Sequence, residues 1–393
     1  MNPKFVLICL VVFIIGFPIG VQFTNQSDTK QSLIPNLQAY GLPTDPVKSP
    51  VPVVKEEWFL TNVSQIIKIQ TPQDIEKKRK ELINYIWKGD FPKGKPPLIR
   101  KNVELGQYKE FVGVKSLDTY EFEWESLKTK VYHFKTRAKS PKPYLIILHI
   151  GNKPLSQSFH LFFTFFSLRV GFDVLVIPSP LSSIEDQNLT YSSVPAINTP
   201  SFGYLGLTDQ NVFFLLEENT FSPLQLYFDP LALSLNLIDQ QYNYTSYHLI
   251  GSFDGAWEAT VYSAIDPRIK TSYAIYPPLP FFVATNSDST SLRNYEYFHP
   301  KFTKITNYPE LYVMASHGKG RKHIQLIDTS NPHRYNEEGY KAYADEVARR
   351  VETLDAGDFE TRVFDTKQQK ESLVLVLKQI YSDIEGKEIK VDW

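Results

Sequence analysis

Tyr247-His248-Leu249-Ile250-Gly251-Ser252-Phe253-Asp254-Gly255-Ala256-Trp257 is the stretch whose reading decides the fold. A β-rich run from Tyr242 to Ile250 leads into it. Gly251 and Gly255 frame a turn, and an Ala-rich segment from Ala256 to Ala264 with helical character leads out. Paired glycines in such a turn mark places where a Cβ would meet neighbouring backbone. A strand that passes through a tight turn directly into a helix is the repeating unit of an α/β architecture.

The flanking sequence repeats that unit. Tyr144–His149 is a short, almost wholly apolar run, as expected of a strand buried on both faces. Ser156–Val170 is helical in pattern, and Phe172–Ile177 is a second buried strand. Thr119–Trp124 and Lys130–Lys135 read as strands before them, and Pro72–Trp87 as a capped amphipathic helix. Downstream, Thr271–Tyr276, Leu311–Ala315 and Phe359–Phe364 read as strands, and Pro223–Gln241, Glu337–Leu354 and Glu371–Ile384 as helices. The fold class is therefore α/β: a mostly parallel twisted sheet with helices on both faces. The irregular stretch from Pro178 to Phe221 carries Tyr191, Phe202, Tyr204, Phe213 and Phe214, and reads as a lid.

Composition narrows the function classes. Forty-two basic residues balance 43 acidic ones, so a nucleic-acid partner is not indicated. The one cysteine, Cys9, lies in an N-terminal apolar run, which leaves the body without disulfides or cysteine metal ligands. His317 and His323 are six apart with no acidic residue between them, which is no zinc pattern. The short basic loop His317-Gly318-Lys319-Gly320-Arg321-Lys322-His323 lacks a phosphate cradle's strand-to-helix context. Phe5–Phe23 is uncharged and follows Lys4, as a signal peptide or a single-pass anchor would; either places the body beyond the membrane. If the run is kept, residues 5–23 contact the membrane. Residues 24–58 read as an extended linker, and 59–393 as the folded domain. Asn25, Asn62, Asn188 and Asn243 each open an N-x-[ST] glycosylation triplet.

From about Thr71 onward the chain resembles the α/β-hydrolase superfamily. The resemblance rests on Lys78-Arg79-Lys80-Glu81-Leu82-Ile83-Asn84-Tyr85-Ile86-Trp87, Ile147-Leu148-His149-Ile150-Gly151-Asn152, the turn at Gly251–Trp257, Asp266-Pro267-Arg268-Ile269 and Asn307-Tyr308-Pro309-Glu310-Leu311-Tyr312. In that superfamily the strand–turn–helix is a nucleophile elbow, G-x-S-x-G, with a strained serine at its centre. Aligned on Trp257, the resemblance puts Phe253 at the nucleophile position; its Asp-Pro step falls on Asn331-Pro332, which puts Asn331 at the acid, and its last segment puts Lys370, or a neighbour, at the base. No histidine follows His333. Phenylalanine has no nucleophilic atom, Asn cannot stabilise an imidazolium by charge, and Lys is protonated near neutral pH. A second register centres Ser252-Phe253-Asp254-Gly255-Ala256 on Asp254 as a carboxylate nucleophile, with His333 as base. His149, Gly151, Ser252 and Asp254 are the residues expected to line a pocket. The resemblance thus implies a catalytically inactive, translocated hydrolase fold that binds an unidentified small molecule or protein, with no cofactor and no metal. The alternative is an ester hydrolase working through Asp254.

Overall fold

The computed structural model describes residues 56–93, 97–106, 108, 111, 113–151, 154–181, 194–284, 295–297, 299–328, 338–355, 357–364 and 372–389. Asn25, Asn188, Asn331, His333, Lys370 and the apolar run 5–23 lie outside the described residues. No described helix is long and apolar enough to cross a membrane.

Among the described residues one sheet holds nine strands: β1 (Leu98–Arg100), β2 (Val114–Trp124), β3 (Leu127–Thr136), β4 (Tyr144–Ile150), β5 (Asp173–Pro178), β8 (Ser246–Ser252), β9 (Ile269–Ile275), β10 (Lys322–Asp328) and β11 (Asp358–Phe364). A separate hairpin pairs β6 (Ala196–Thr199) with β7 (Gly203–Gly206). The main order is β1-β2-β3-β5-β4-β8-β9-β10-β11. The pairings β1–β2, β2–β3 and β3–β5 are antiparallel; every pairing from β5 to β11 is parallel. Parallel neighbours need a crossover. These are supplied by α2 (Pro154–Val170) between β4 and β5, α3 (Leu224–Gln241) before β8, α4 (Asp254–Ile265), α5 (Tyr308–Ser316) and α6 (Ala344–Thr353), with α1 (Pro72–Trp87) before the sheet and α7 (Ser372–Glu385) after it.

Side-chain alternation along the strands builds two cores. In β4, Leu145 and Ile147 join one cluster with residues of α1, α3, α4, α5 and α6, such as Leu82, Leu231, Trp257, Leu311 and Val347. Ile146, Leu148 and Ile150 join the other with Phe159 and Phe163 of α2 and Leu377 and Tyr381 of α7. The period-two alternation is intact although both faces are apolar, because both are covered by helices. The expected mostly parallel sheet with helices on both faces is what the chain forms.

One segment departs from its sequence reading. Leu311–Ala315, expected as a strand, is the middle of α5. Asn307 accepts from the Glu310 N–H at 3.0 Å, and Glu310 closes the reciprocal bond to the Asn307 N–H, a capping box with proline in the first turn. All nine residues of α5 are buried, so it has no polar face to betray a helical period. The strand expected there is β10, which begins inside the segment read as a basic loop. His323 and Gln325 interrupt its apolar pattern, yet both are buried. Ser272 Oγ lies 2.7 Å from His323 Nδ1, and Tyr343 donates to Gln325 Oε1 at 2.8 Å. Glu337–Leu354, expected as one helix, is a 3-10 turn over Glu338–Ala342 followed by α6.

Candidate functional site: a filled strand–helix turn

β8 ends at Ser252 and α4 begins at Asp254, so Phe253 alone makes the turn, at φ 56° and ψ −118°. Non-glycine residues avoid this region, and holding one there costs about 1–3 kcal/mol. The two framing glycines are obligatory. A Cβ on Gly251 would lie 1.9 Å from the Gly255 carbonyl oxygen, and one on Gly255 would lie 2.3 Å from that of His149. The turn is therefore clamped between its own helix and the end of β4. Phe253 N–H donates to the Ile275 carbonyl at 3.0 Å, which fastens the turn to β9 as well.

The Phe253 ring does not project into open space. It is 7% exposed, stacks on Tyr276 with centroids 4.4 Å apart and planes 17° apart, and meets Phe159 of α2 edge-on at 5.8 Å. Tyr276 also has positive φ, at 58°. Its hydroxyl donates to Asp328, the last residue of β10, at 3.1 Å. Beside Ser252, a void lined by His149, His160 and Phe159 among others measures about 10 Å³, the size of a single water site at most.

On the other side of the turn lies a buried polar cluster. His149, at the end of β4, brings Nδ1 against Oε2 of Glu258 in α4, and the Ser179 hydroxyl donates to Oε1 of the same carboxylate. Both side chains of the His149–Glu258 pair are essentially unexposed. Burial raises the Glu258 carboxyl above its ordinary range, and the His149 and Ser179 contacts oppose that rise. The three residues share serine, imidazole and carboxylate with a hydrolytic triad, but in the wrong order. The carboxylate stands between serine and histidine, so the imidazole cannot take the serine proton.

Similarity searches agree with this architecture. No family model matches the sequence, and a search of curated proteins also finds no match. Among solved structures, an acetyl xylan esterase from Paenibacillus sp. R4 superposes with a TM-score of 0.50 at 12% identity, over 86% of this chain and 97% of that one. The chain has the α/β-hydrolase fold. A glucuronoyl esterase from Solibacter usitatus, 12% identical, aligns over 86% of this chain and 96% of its own with a TM-score of 0.46.

In an α/β-hydrolase the strained turn is the nucleophile elbow, and here the strained residue is Phe253. Asp254 is the first residue of α4 instead. It is buried at the helix N-terminus, where the helix dipole favours a carboxylate. Its backbone N–H is the one that serves the oxyanion hole in this fold. Gly151, Ser252 and Asp254 are buried, as His149 is, and of these four expected pocket residues His149 and Ser252 line the small void. Asn62 and Asn243 are exposed; Asn62 accepts from Ser64 of its own triplet at 2.7 Å.

Sequence reasoning does not single out Asp328. It places the acid position at the Asn331-Pro332 step, which lies outside the described residues. A signal is present: Lys322–Asp328 is a short run that ends in a buried carboxylate. Its Tyr276 contact was not readable, since it depends on the positive-φ turn after β9.

Proposed function

We propose that this α/β-hydrolase-fold chain is catalytically inactive, exported or membrane-anchored, and works by binding. The observation that carries the reading is Phe253: the elbow's strained backbone is kept, and its side chain is packed against Tyr276 and Phe159 where a nucleophile would face substrate. The absence of histidine after His333 supports it from the sequence. Tyr276 donates to the carboxylate at the end of β10. Export rests on the uncharged run Phe5–Phe23 behind Lys4.

The test is turnover of short-chain acyl esters and acetylated xylan by the purified protein, with labelling by a serine-directed fluorophosphonate. No turnover above background and no labelling are expected. Phe253→Ser alone should restore neither turnover nor full labelling, because triad members act as a unit. The second reading, favoured by the burial of Asp254 next to the elbow, expects hydrolysis that is lost in both Asp254→Ala and His333→Ala. That pair of losses with the fold intact would replace the binding reading.

A further inference from the structure

The two edges of the main sheet are built differently. β1, at one edge, has three residues and follows directly on Pro96-Pro97. Shortness and proline both blunt an edge against pairing with another chain. β11, at the other edge, has seven residues and holds one unbroken register with β10, from Lys322 against Asp358 to Asp328 against Phe364. It contains no proline, no lysine and no bulge. Among the described residues no strand pairs with its outer side. Val363 within it is 45% exposed.

The ladder to β10 fixes which groups face outward. Asp358 N–H donates to the Arg321 carbonyl at 3.0 Å. Along a strand, alternate residues turn their N–H and C=O to the same side. Asp358, Glu360, Arg362 and Phe364 therefore turn theirs to β10, while Phe359, Thr361 and Val363 turn theirs outward. A second copy of β11 laid antiparallel meets this edge with the same outward residues. The central two-fold registers are those centred on Glu360, Thr361 or Arg362. Centring on Glu360 sets that carboxylate against its own copy, and centring on Arg362 does the same to the guanidinium. Like charges directly opposite destabilise a strand pair. Centring on Thr361 instead sets Glu360 against Arg362 of the second copy, from both sides, and Phe359 against the second copy's Val363. In that register each outward N–H meets an outward carbonyl. Within one copy Arg362 already lies 2.6 Å from Glu360 and 2.5 Å from Asp383. Its guanidinium has donors enough to share with a carboxylate of the second copy.

We propose that the chain forms a two-fold homodimer through β11, paired antiparallel about Thr361, so that the sheet of one copy continues into that of the other. The partner is a second copy of this chain. The surface is independent of the elbow and of whether the chain is exported or hydrolyses anything.

Sedimentation equilibrium of the full chain in nonionic detergent, from about 1 to 100 μM, tests it across the range of weak dimers. A monomer–dimer equilibrium is expected. Val363→Lys puts a solvated charge on the exposed edge position and should weaken the dimer at least about 10-fold while leaving the monomer folded. Thr361→Pro removes an outward N–H, a place where an edge strand tolerates proline, and should weaken it as much. Glu360→Gln removes both copies of the cross-strand charge pair and should weaken it about 2- to 10-fold. Circular dichroism checks the fold of each variant. A chain that stays monomeric at about 100 μM overturns the proposal. A dimer that neither Val363→Lys nor Thr361→Pro weakens overturns it too, and places association elsewhere, residues 5–23 included. A dimer tightened by Glu360→Gln would set like charges opposite each other and overturn the Thr361 register.

Discussion

The two ends of this sheet have been treated in opposite ways. At the carboxyl end, where α/β-hydrolases do chemistry, the elbow is retained in its backbone and closed in its side chains. Phe253, Tyr276 and Phe159 pack against one another there, and the space beside Ser252 holds about 10 Å³. At the amino end, the same strands line an open space of about 540 Å³ beside α7. The contrast separates scaffold from chemistry. A strained turn survives as long as the surrounding packing over-determines it, whether or not a nucleophile occupies it. Room for a ligand depends on side-chain volume alone.

The largest effect should come from one substitution made at each end. Gly255→Ala puts a Cβ against rigid His149 backbone at 2.3 Å and should cost more than about 4 kcal/mol or prevent folding. Gly386→Ala, at φ 66° with nothing within 4 Å, meets only backbone strain and should cost about 1 kcal/mol. Urea denaturation of both variants measures the difference. Similar losses would mean that the elbow is not clamped as described.

A smaller effect distinguishes the ends by pH. The folded pKa of His248, about 3, lies below its ordinary 6.5, so as pH falls the unfolded chain takes the proton first. The stability this residue supports is complete above pH 6.5 and is lost as pH falls toward 3. Between pH 7 and pH 4, His248→Gln should therefore lose less stability than the parent, by about 2–3 kcal/mol. Parallel stability–pH curves for the two proteins would refute the assignment.

The smallest effect reads the elbow strain itself. Phe253→Ala removes the ring contacts and keeps the strained φ, while Phe253→Gly removes both. The glycine variant should be the more stable of the two by about 1 kcal/mol, an inversion of the usual order for a buried site. The usual order, with Ala ahead of Gly, would place the strain elsewhere.

Much of this was legible from residues. Gly251 and Gly255 announced the elbow because only glycine fits their contacts, and the apolar runs of β4, β5 and β8 announced a sheet covered on both faces. The capped helix at Pro72–Trp87 was legible too; its cap is a box in which Thr71 accepts from the Asp74 N–H and Asp74 accepts from the Thr71 N–H. What could not be read was burial without amphipathicity. α5 is buried on every side and its Leu311–Ala315 run reads as a strand, while β10 hides buried His323 and Gln325 in a run that reads as polar. Site geometry was less legible still. That Glu258 sits between Ser179 and His149 follows from three elements meeting in space, and no spacing in the sequence encodes it.

The pairing of β4 with β8 has a further consequence, for how the chain is made. The backbone carbonyl of Pro143, just before β4, accepts from Thr245, 102 residues later, on the threshold of β8. The turn at Phe253 has no support until both strands exist and β9 has joined them. During synthesis at roughly 5–20 residues per second, β4 waits several seconds or more with an apolar edge open. Contacts this distant in sequence form late and slowly. The segment between them must therefore be held off from aggregation while it emerges, which makes the elbow one of the last parts of the molecule to become itself.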